Sequence, residues 1–283
     1  MLLEISKIPK STYEYQKKHL YDKENKDKDL KELISRIFEE NLCKYGVPRM
    51  TIELRNRGYK INKKRVERLM KEMGLKARPQ SKRYRSYKGE IGKVCKNMLL
   101  EKVENEKGII YERDFETSAP FEKLGTDVTV FITKYGKLYL SPVIDFHTRE
   151  ILSFNISENP NYKQVREMLD ALFRKYKKEL KGAILHSDQG YQYQMKVYQE
   201  TLTKYGIKQS MSRKGNCLDN SPTENFFGRM KEEIFYGKED TYSSLEELRK
   251  AIEQYIKYYN ETRIVTRLRT SPTQYRLKTK NKL

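Results

Sequence analysis

Residues 126–145 read TDVTVFITKYGKLYLSPVID, and the architecture follows from them. Val128, Val130 and Ile132 alternate through the first half, the period-two signature of a half-buried strand. Tyr135-Gly136-Lys137 supplies a turn, and Leu138–Asp145 reads as a second strand. Leu152, Phe154 and Ile156 alternate in a third, so short turns join three strands into a meander. Downstream, Asn161 opens a helix whose Val165, Met168, Leu169, Leu172, Phe173 and Tyr176 keep three-and-four spacing. Ala183–His186 is a short apolar strand ending at Ser187-Asp188. A helix over about Tyr193–Tyr205 then leads to a brief strand near Ile207–Ser210. The order βββαβαβ, closed by one more helix, predicts an α/β unit with a mixed five-stranded sheet flanked by helices.

Three acids stand out inside this unit: Asp127 in GTDVTVF, Asp188 in HSDQGYQY and Glu224 in DNSPTENFFGRMKEE. Asp127 lies early in the first strand, and Asp188 at the exit of another, where ligand-binding groups collect in open α/β sheets. Asn220-Ser221-Pro222 is a helix start, and Phe226, Phe227, Met230 and Ile234 form that helix's packing stripe. Glu224 and Lys231 differ by only about 20° around it. They share a flank beside the stripe, which suits a metal-binding carboxylate and a cation for the nucleic-acid backbone. Magnesium is a hard cation that takes oxygen ligands and keeps several waters. Three carboxylates can hold two such ions for an in-line displacement at phosphorus. Singly, each acid has a plainer reading: a strand-edge residue, a turn former, a first-turn charge favoured by the helix dipole. It is the combination, in these elements and this order, that points to catalysis. His186 has two open readings, an aid to proton transfer or metal positioning, or a satisfied structural histidine.

The N-terminal third has a different grammar. Between about Asp29 and Leu75 the pattern predicts three short helices, carrying Leu33, Ile37 and Phe38, then Ile52 and Leu54, then Val66, Leu69, Met70 and Met73. Turn chemistry at Tyr45-Gly46-Val47-Pro48 and Asn56-Arg57-Gly58 separates them, and Asn62 is a good N-cap for the third. With the apolar residues facing inward, Lys63, Lys64, Arg65, Arg68 and Lys71 remain on the outer face. This is the layout of a helix-turn-helix reader, or of a small bundle with a solvated basic face. Residues 76–96 carry eight Lys or Arg and one acid, among them Lys82, Arg83 and Arg85. Such a composition builds no core and reads as an extended, phosphate-tracking linker. At the other end, Ser243-Ser244-Leu245-Glu246 is a capping box opening a helix with a Leu245, Leu248, Ile252, Tyr255, Tyr259 stripe. Tyr258, Tyr259, Asn260, Arg263 and Arg267 are either within reach of DNA or ordinary surface.

The bulk properties agree. The 283 residues include 59 Lys or Arg against 39 Asp or Glu, a formal charge of +20, an excess that attracts polyanions, nucleic acid above all. Cys43, Cys95 and Cys217 show no C-x-x-C spacing, so neither a disulfide framework nor a zinc site is expected. No run of 18 apolar residues occurs, and a cytoplasmic protein with no membrane partner is expected. The expected domains are an N-terminal segment (1–28), a helix-turn-helix domain (29–77), a basic linker (78–117), a catalytic core (118–240), and a C-terminal helix with basic tail (241–283).

Six segments in order, YGVPRMTIELRNRGYKINKKRVERLMKEMGL, KRYRSYKGEIGK, TDVTVF, HSDQGYQY, SRKGNCLDNSPTENFFGRMKEE and YNETRIVTRLRTSPTQYR, resemble a DDE-class transposase. The resemblance is to the larger-frame (OrfB) product of two-frame bacterial insertion sequences, with a retroviral-integrase-like, ribonuclease-H-like core. It implies a catalytic and metal-binding triad at Asp127, Asp188 and Glu224, and a DNA-contacting Lys231. It implies two magnesium ions, with manganese able to substitute, and cleavage at the element's terminal inverted repeats followed by attack of the freed 3′-hydroxyl on target DNA. It also implies a nucleoid-associated homo-multimer working with, or fused to, the smaller upstream-frame product. Two departures stand out. The chain has no Trp, where the family commonly has one shortly before the first Asp, and Val265 follows Arg263-Ile264 where His is frequent. The competing functions are a DNA-binding regulator with an inactive ribonuclease-H-like domain and a hydrolytic nuclease.

Overall fold

The computed structural model describes residues 9–77, 94–105, 108–213 and 217–280. It divides into two compact units, residues 1–79 and 80–283. Among the described residues no helix is long and apolar enough to cross a membrane.

The first unit contains helices α1 (Lys10–Glu40), α2 (Val47–Asn56) and α3 (Lys63–Glu72) around Ile34, Ile37, Met50, Leu54, Val66 and Leu69, all 0% exposed. Two of the expected signals operate as read. Pro48 occupies the first turn of α2, and Asn62 Oδ1 accepts from Lys64 N at 2.9 Å to cap α3. The first helix begins at Lys10, well before the periodic stretch. Residues 10–28 are rich in Lys, a good helix former, but have no apolar stripe for a periodicity argument to detect.

The second unit opens with an antiparallel hairpin, β1 (Leu100–Asn105) and β2 (Gly108–Arg113), pairing Leu100 with Arg113 and Val103 with Ile110. It falls within the stretch expected to be linker. The basic run ends near Lys96, and the alternating cross-strand pairs beyond it are invisible to charge counting. The main sheet has six strands: β3 (Lys123–Thr126), β4 (Thr129–Thr133), β5 (Gly136–Asp145), β6 (Ile151–Ser157), β7 (Ile184–Ser187) and β8 (Lys208–Met211). Five were expected because β3 and β4 are one strand with a break at Asp127-Val128. Thr126 pairs with Val143 and Thr129 with Leu140, so the register against β5 runs through the gap unchanged and sets Asp127 opposite Pro142. Proline has no N–H to donate, and the ladder lapses there. The merged strand pairs antiparallel with β5 and, through β3, parallel with β7, which pairs parallel with β8, while β6 lies on the far side of β5.

Helices cover both faces. On one, α4 (Tyr162–Tyr176) and α6 (Lys196–Lys204) bury Val165, Met168, Leu169, Leu172 and Leu202 against Leu124, Val143 and Leu185. On the other, α7 (Ser221–Ile234) and α8 (Leu245–Glu261) bury Phe226, Met230, Leu248 and Ile252 against Phe131, Leu140 and Ile144. Each such Leu, Ile or Phe taken from water stabilises the fold by about 1.5–3 kcal/mol. The helix expected over 193–205 is two, the short α5 (Tyr191–Gln194) and α6, divided at Met195, whose backbone is extended. The capping box of α8 sits one residue further on: Ser244 Oγ accepts from Glu247 N at 3.1 Å, while Glu247 Oε2 accepts from Ser243 N at 2.6 Å. Glu247 rather than Glu246 is three residues past the cap. The last helix among the described residues is α9 (Pro272–Lys280). Phe121 packs on Tyr176, ring centroids 5.2 Å apart, so aromatic packing is present near the first Asp without a Trp.

Candidate active site

Strand register brings the first two acids together. Gly125 of β3 pairs with His186 of β7 in parallel, so Asp127 and Asp188, each two residues further along, emerge side by side from neighbouring strands spaced about 4.8 Å apart. Each carboxylate is turned by a backbone amide: Asp127 Oδ1 accepts from Val128 N at 2.7 Å, and Asp188 Oδ1 from Gly190 N at 2.9 Å.

The third acid arrives on α7. Glu224 is exposed in that helix's first turn, and two contacts press the turn onto β3. Asn220 Nδ2 donates to Thr126 O at 3.3 Å. A Cβ placed on Gly125 would lie 2.5 Å from Thr223 Oγ1 and overlap the Phe146 ring, so only glycine lets helix and strand approach this closely.

The electrostatics record the convergence. Burial pushes Asp127 well above the usual carboxylate range, Asp188 and Glu224 push further, and the Val128 amide and Lys231 oppose them. Burial raises Asp188 against the Gly190 amide. Glu224, exposed as a residue but with its carboxyl partly desolvated, is raised by that desolvation and by Asp188. Each acid thus lies in the field of another. Among the described residues no group of three His, Cys, Asp or Glu is already gathered as a metal site, while Asp127 lies in the field of both Asp188 and Glu224.

Lys231 is 6% exposed, with Nζ 5.2 Å from the centroid of the Phe131 ring. Its place is in the buried face of α7, not on the flank read from the helical wheel, because its stem lies along an aromatic surface. Burial lowers its pKa to about 8, and Asp127 partly restores it. Tyr193 is wholly buried beside the pair; burial, then Asp127 and Asp188, raise its hydroxyl far above the ordinary value. His186 is also wholly buried, with Nδ1 2.8 Å from Ser210 Oγ, and burial drops it to about 4. Nε2 of the same ring is buried without a hydrogen-bond partner among the described residues, so only one of the two ring nitrogens is satisfied.

The remaining expected site residues lie apart. Lys63, Lys64 and Lys71 are exposed on α3. Arg65 and Arg68 pair with the buried Asp27 of α1 at 2.5 and 2.6 Å, and Arg68 also with Glu72. Lys82, Arg83 and Arg85 fall outside the described residues. Near the C-terminus, Arg263 is buried against Glu233 at 2.7 Å, and Asn260 exchanges two 2.9 Å hydrogen bonds with the backbone of Ile151. Val265 bridges to Thr270. Sequence reasoning passed over Gly125 and over Asp219, whose buried carboxylate binds Arg213, Arg113 and Asn97. The available signal for Asp219 was its position between Arg213 and the Asn-Ser-Pro helix start.

A mixed sheet covered by helices on both faces, with acids at the ends of its two central parallel strands, is the layout of a ribonuclease-H-like, integrase-type core. The integrase core domain family matches residues 117–217 and again 224–279, and the HTH-like domain family matches residues 24–83. The chain is 46% identical over 279 residues to the putative transposase InsK for insertion sequence element IS150 of Escherichia coli K12, covering 98% of this chain and 93% of that protein. It is 45% identical to an uncharacterized transposase-like protein of Haemophilus influenzae, covering 82% of this chain and 100% of that one. The HTLV-2 integrase catalytic core domain, solved in complex with magnesium, covers 57% of this chain at a TM-score of 0.44 and 19% identity, and 99% of its own chain is covered. The chain belongs to the insertion-sequence transposases, and is a DNA-cleaving, strand-transferring enzyme built from an HTH-like domain and an integrase core.

Proposed function

We propose that Asp127, Asp188 and Glu224 are the catalytic, metal-binding acids of this transposase, and that magnesium is the metal, with two ions per site and manganese able to replace it. The observation carrying this is the register of β3 against β7, which supports Asp127 lying beside Asp188, with the first turn of α7, which carries Glu224, held close to β3 at Gly125. The donor set fits: three oxygen ligands, mutually repelling and raised in pKa, with His186 engaged by Ser210. Magnesium is usually held by one or two carboxylates plus waters and substrate phosphate rather than by an all-protein cage. Bound there, the metal supplies activation of the attacking oxygen and stabilisation of the leaving one in phosphodiester exchange.

The chain's own residues orient this chemistry. The Val128 and Gly190 amides fix one oxygen of each aspartate, and Lys231 offsets part of the negative charge at Asp127. Its burial makes Lys231 a partner of the acids before it is a contact for DNA. Lys63, Lys64 and Lys71 are exposed cations of α3 available for phosphate contacts, and Lys82, Arg83 and Arg85 add positive charge in the sequence that follows. The expected partners are terminal inverted repeats, target DNA, further copies of the chain and the smaller upstream-frame product, in the bacterial cytoplasm at the nucleoid.

Labelled terminal-repeat DNA with magnesium tests the reading. Wild type should nick and join, and Asp127→Asn, Asp188→Asn and Glu224→Gln should each do neither while still binding DNA. Cleavage retained by any one of them removes that residue from the mechanism, and nicks without joined products would establish a hydrolytic nuclease.

A further inference from the structure

The loop that delivers Glu224 is anchored by a carboxylate with no part in the chemistry above. Asp219 is 1% exposed and gathers donors from three separate segments. Asn97 Nδ2, ahead of β1, lies 3.2 Å away, and Arg113 Nε, at the end of β2, 2.8 Å. Arg213, just past β8, donates through Nε and Nη2 at 3.0 Å each and through its backbone N at 3.1 Å. The two guanidiniums hold Asp219 near a pKa of about 2 although burial acts the other way. A carboxylate with this many charge-assisted donors has one position open to it.

The residues next in the chain make that position consequential. Asn220 hydrogen-bonds the carbonyl of Thr126, the residue before Asp127; Thr223 abuts Gly125; Glu224 comes next. The chain from Asp219 to Glu224 is therefore pinned at its start to the hairpin base and the end of β8, and along its length to β3. We propose that Asp219 is a positioning residue for Glu224: its grip on Arg213, Arg113 and Asn97 sets where the first turn of α7 stands, and so whether the third carboxylate meets the other two. This rests on the assignment of the three acids as the metal-binding set.

The test uses the full chain with Asp219→Asn, alone and combined with Glu224→Gln, and reads the magnesium concentration that half-saturates thermal stabilisation without DNA. Misplacing one ligand should raise that midpoint about tenfold. In the Glu224→Gln background the same substitution should then change it less than about twofold, since the effect passes through Glu224. Strand transfer should fall in parallel. A tenfold shift that persists in the Glu224→Gln background, or a folded Asp219→Asn protein with the wild-type midpoint and wild-type joining, overturns the proposal. Should Asp219→Asn not fold, Arg113→Gln and Arg213→Lys carry the same cycle, with the same outcomes deciding. Hydrogen exchange keeps this claim apart from the metal reading. If wild type shows no magnesium effect, the metal assignment fails, yet faster exchange of the amides of residues 220–226 in Asp219→Asn still supports the anchor. Unchanged exchange there overturns it.

Discussion

Two clusters of charge in this molecule were built to opposite rules. On α3, Arg65 and Arg68 meet the buried Asp27, so opposite charges cancel within the chain. At the end of the central strands, Asp188 and Glu224 raise Asp127 and Asp188 raises Glu224, while Lys231 opposes them at Asp127. Burying like charges together is unfavourable unless something outside the chain completes them. The balanced cluster therefore reads as architecture and the unbalanced one as a site. Such strain is what a polymer folded for function retains.

The largest effect expected from this contrast is on activity. Removing any of the three acids should reduce joining by more than about 10²-fold, the scale on which loss of one preorganised electrostatic group acts, as a gel assay of joined product would show. Removing Asp27 should leave the chemical step on pre-bound ends nearly untouched. An Asp27→Asn protein that binds ends but fails to join them would erase the distinction between the clusters.

Next in size is Gly125→Ala. The added methyl has no room against Thr223 and Phe146, and overpacking of this kind destabilises by about 1–3 kcal/mol. Urea unfolding should show that loss, and joining should fall further than stability explains because α7 must back away from β3. Wild-type stability and activity in this variant would mean that the tight approach does not hold Glu224.

Much of this arrangement could be read before the fold was known, and the limits are instructive. Period-two and period-3.6 patterns place five of the six strands of the main sheet and its long covering helices, because each buries one face, but β3 (Lys123–Thr126) is too short to show an alternation of its own. They place Asp127 and Asp188 on strand ends, but not side by side, since that depends on the parallel pairing of Gly125 with His186, a relation between distant segments. For the same reason Pro142 gives no warning that it interrupts the strand opposite. Gly125 looks like any glycine until Thr223 arrives from about a hundred residues away. Lys231 was misplaced on the wheel by a single flank, because a wheel carries no knowledge of Phe131. Charges were the hardest to interpret: Arg65 and Arg68 resemble DNA contacts in composition, and only the backward extension of α1 reveals Asp27 behind them.

Stability should respond to pH with opposite signs in the two clusters. For Asp127, burial and its acidic neighbours raise the folded pKa, so its contribution is full at low pH and is lost as pH rises through that elevated value. For Asp27, burial alone would raise the pKa, but the Arg68 and Arg65 guanidiniums outweigh it. Its contribution is therefore present above the ordinary carboxylate range and lost as pH falls through the depressed value. In chelator-treated protein at neutral pH, Asp127→Asn should melt higher than wild type and Asp27→Asn lower, by a few degrees each, where about 1 kcal/mol corresponds to roughly 2–4 °C. Shifts of the same sign would show that the acids of the site are not in conflict.

The smallest effect separates cations that face outward from cations already matched. Lys63, Lys64 and Lys71 are exposed, so each Ala substitution should weaken end binding and flatten the dependence of log K on log salt by about one counterion. Lys231→Ala should leave that slope alone, because a side chain 6% exposed and drawn toward Asp127 releases no counterion when DNA binds. Asp27→Asn should steepen the slope by up to about two, since it frees Arg65 and Arg68 for phosphate. Fluorescence anisotropy with end DNA between low and moderate salt resolves differences of this size. A steeper slope from losing Lys231 or a flatter one from losing Asp27 would exchange the roles assigned to the two clusters.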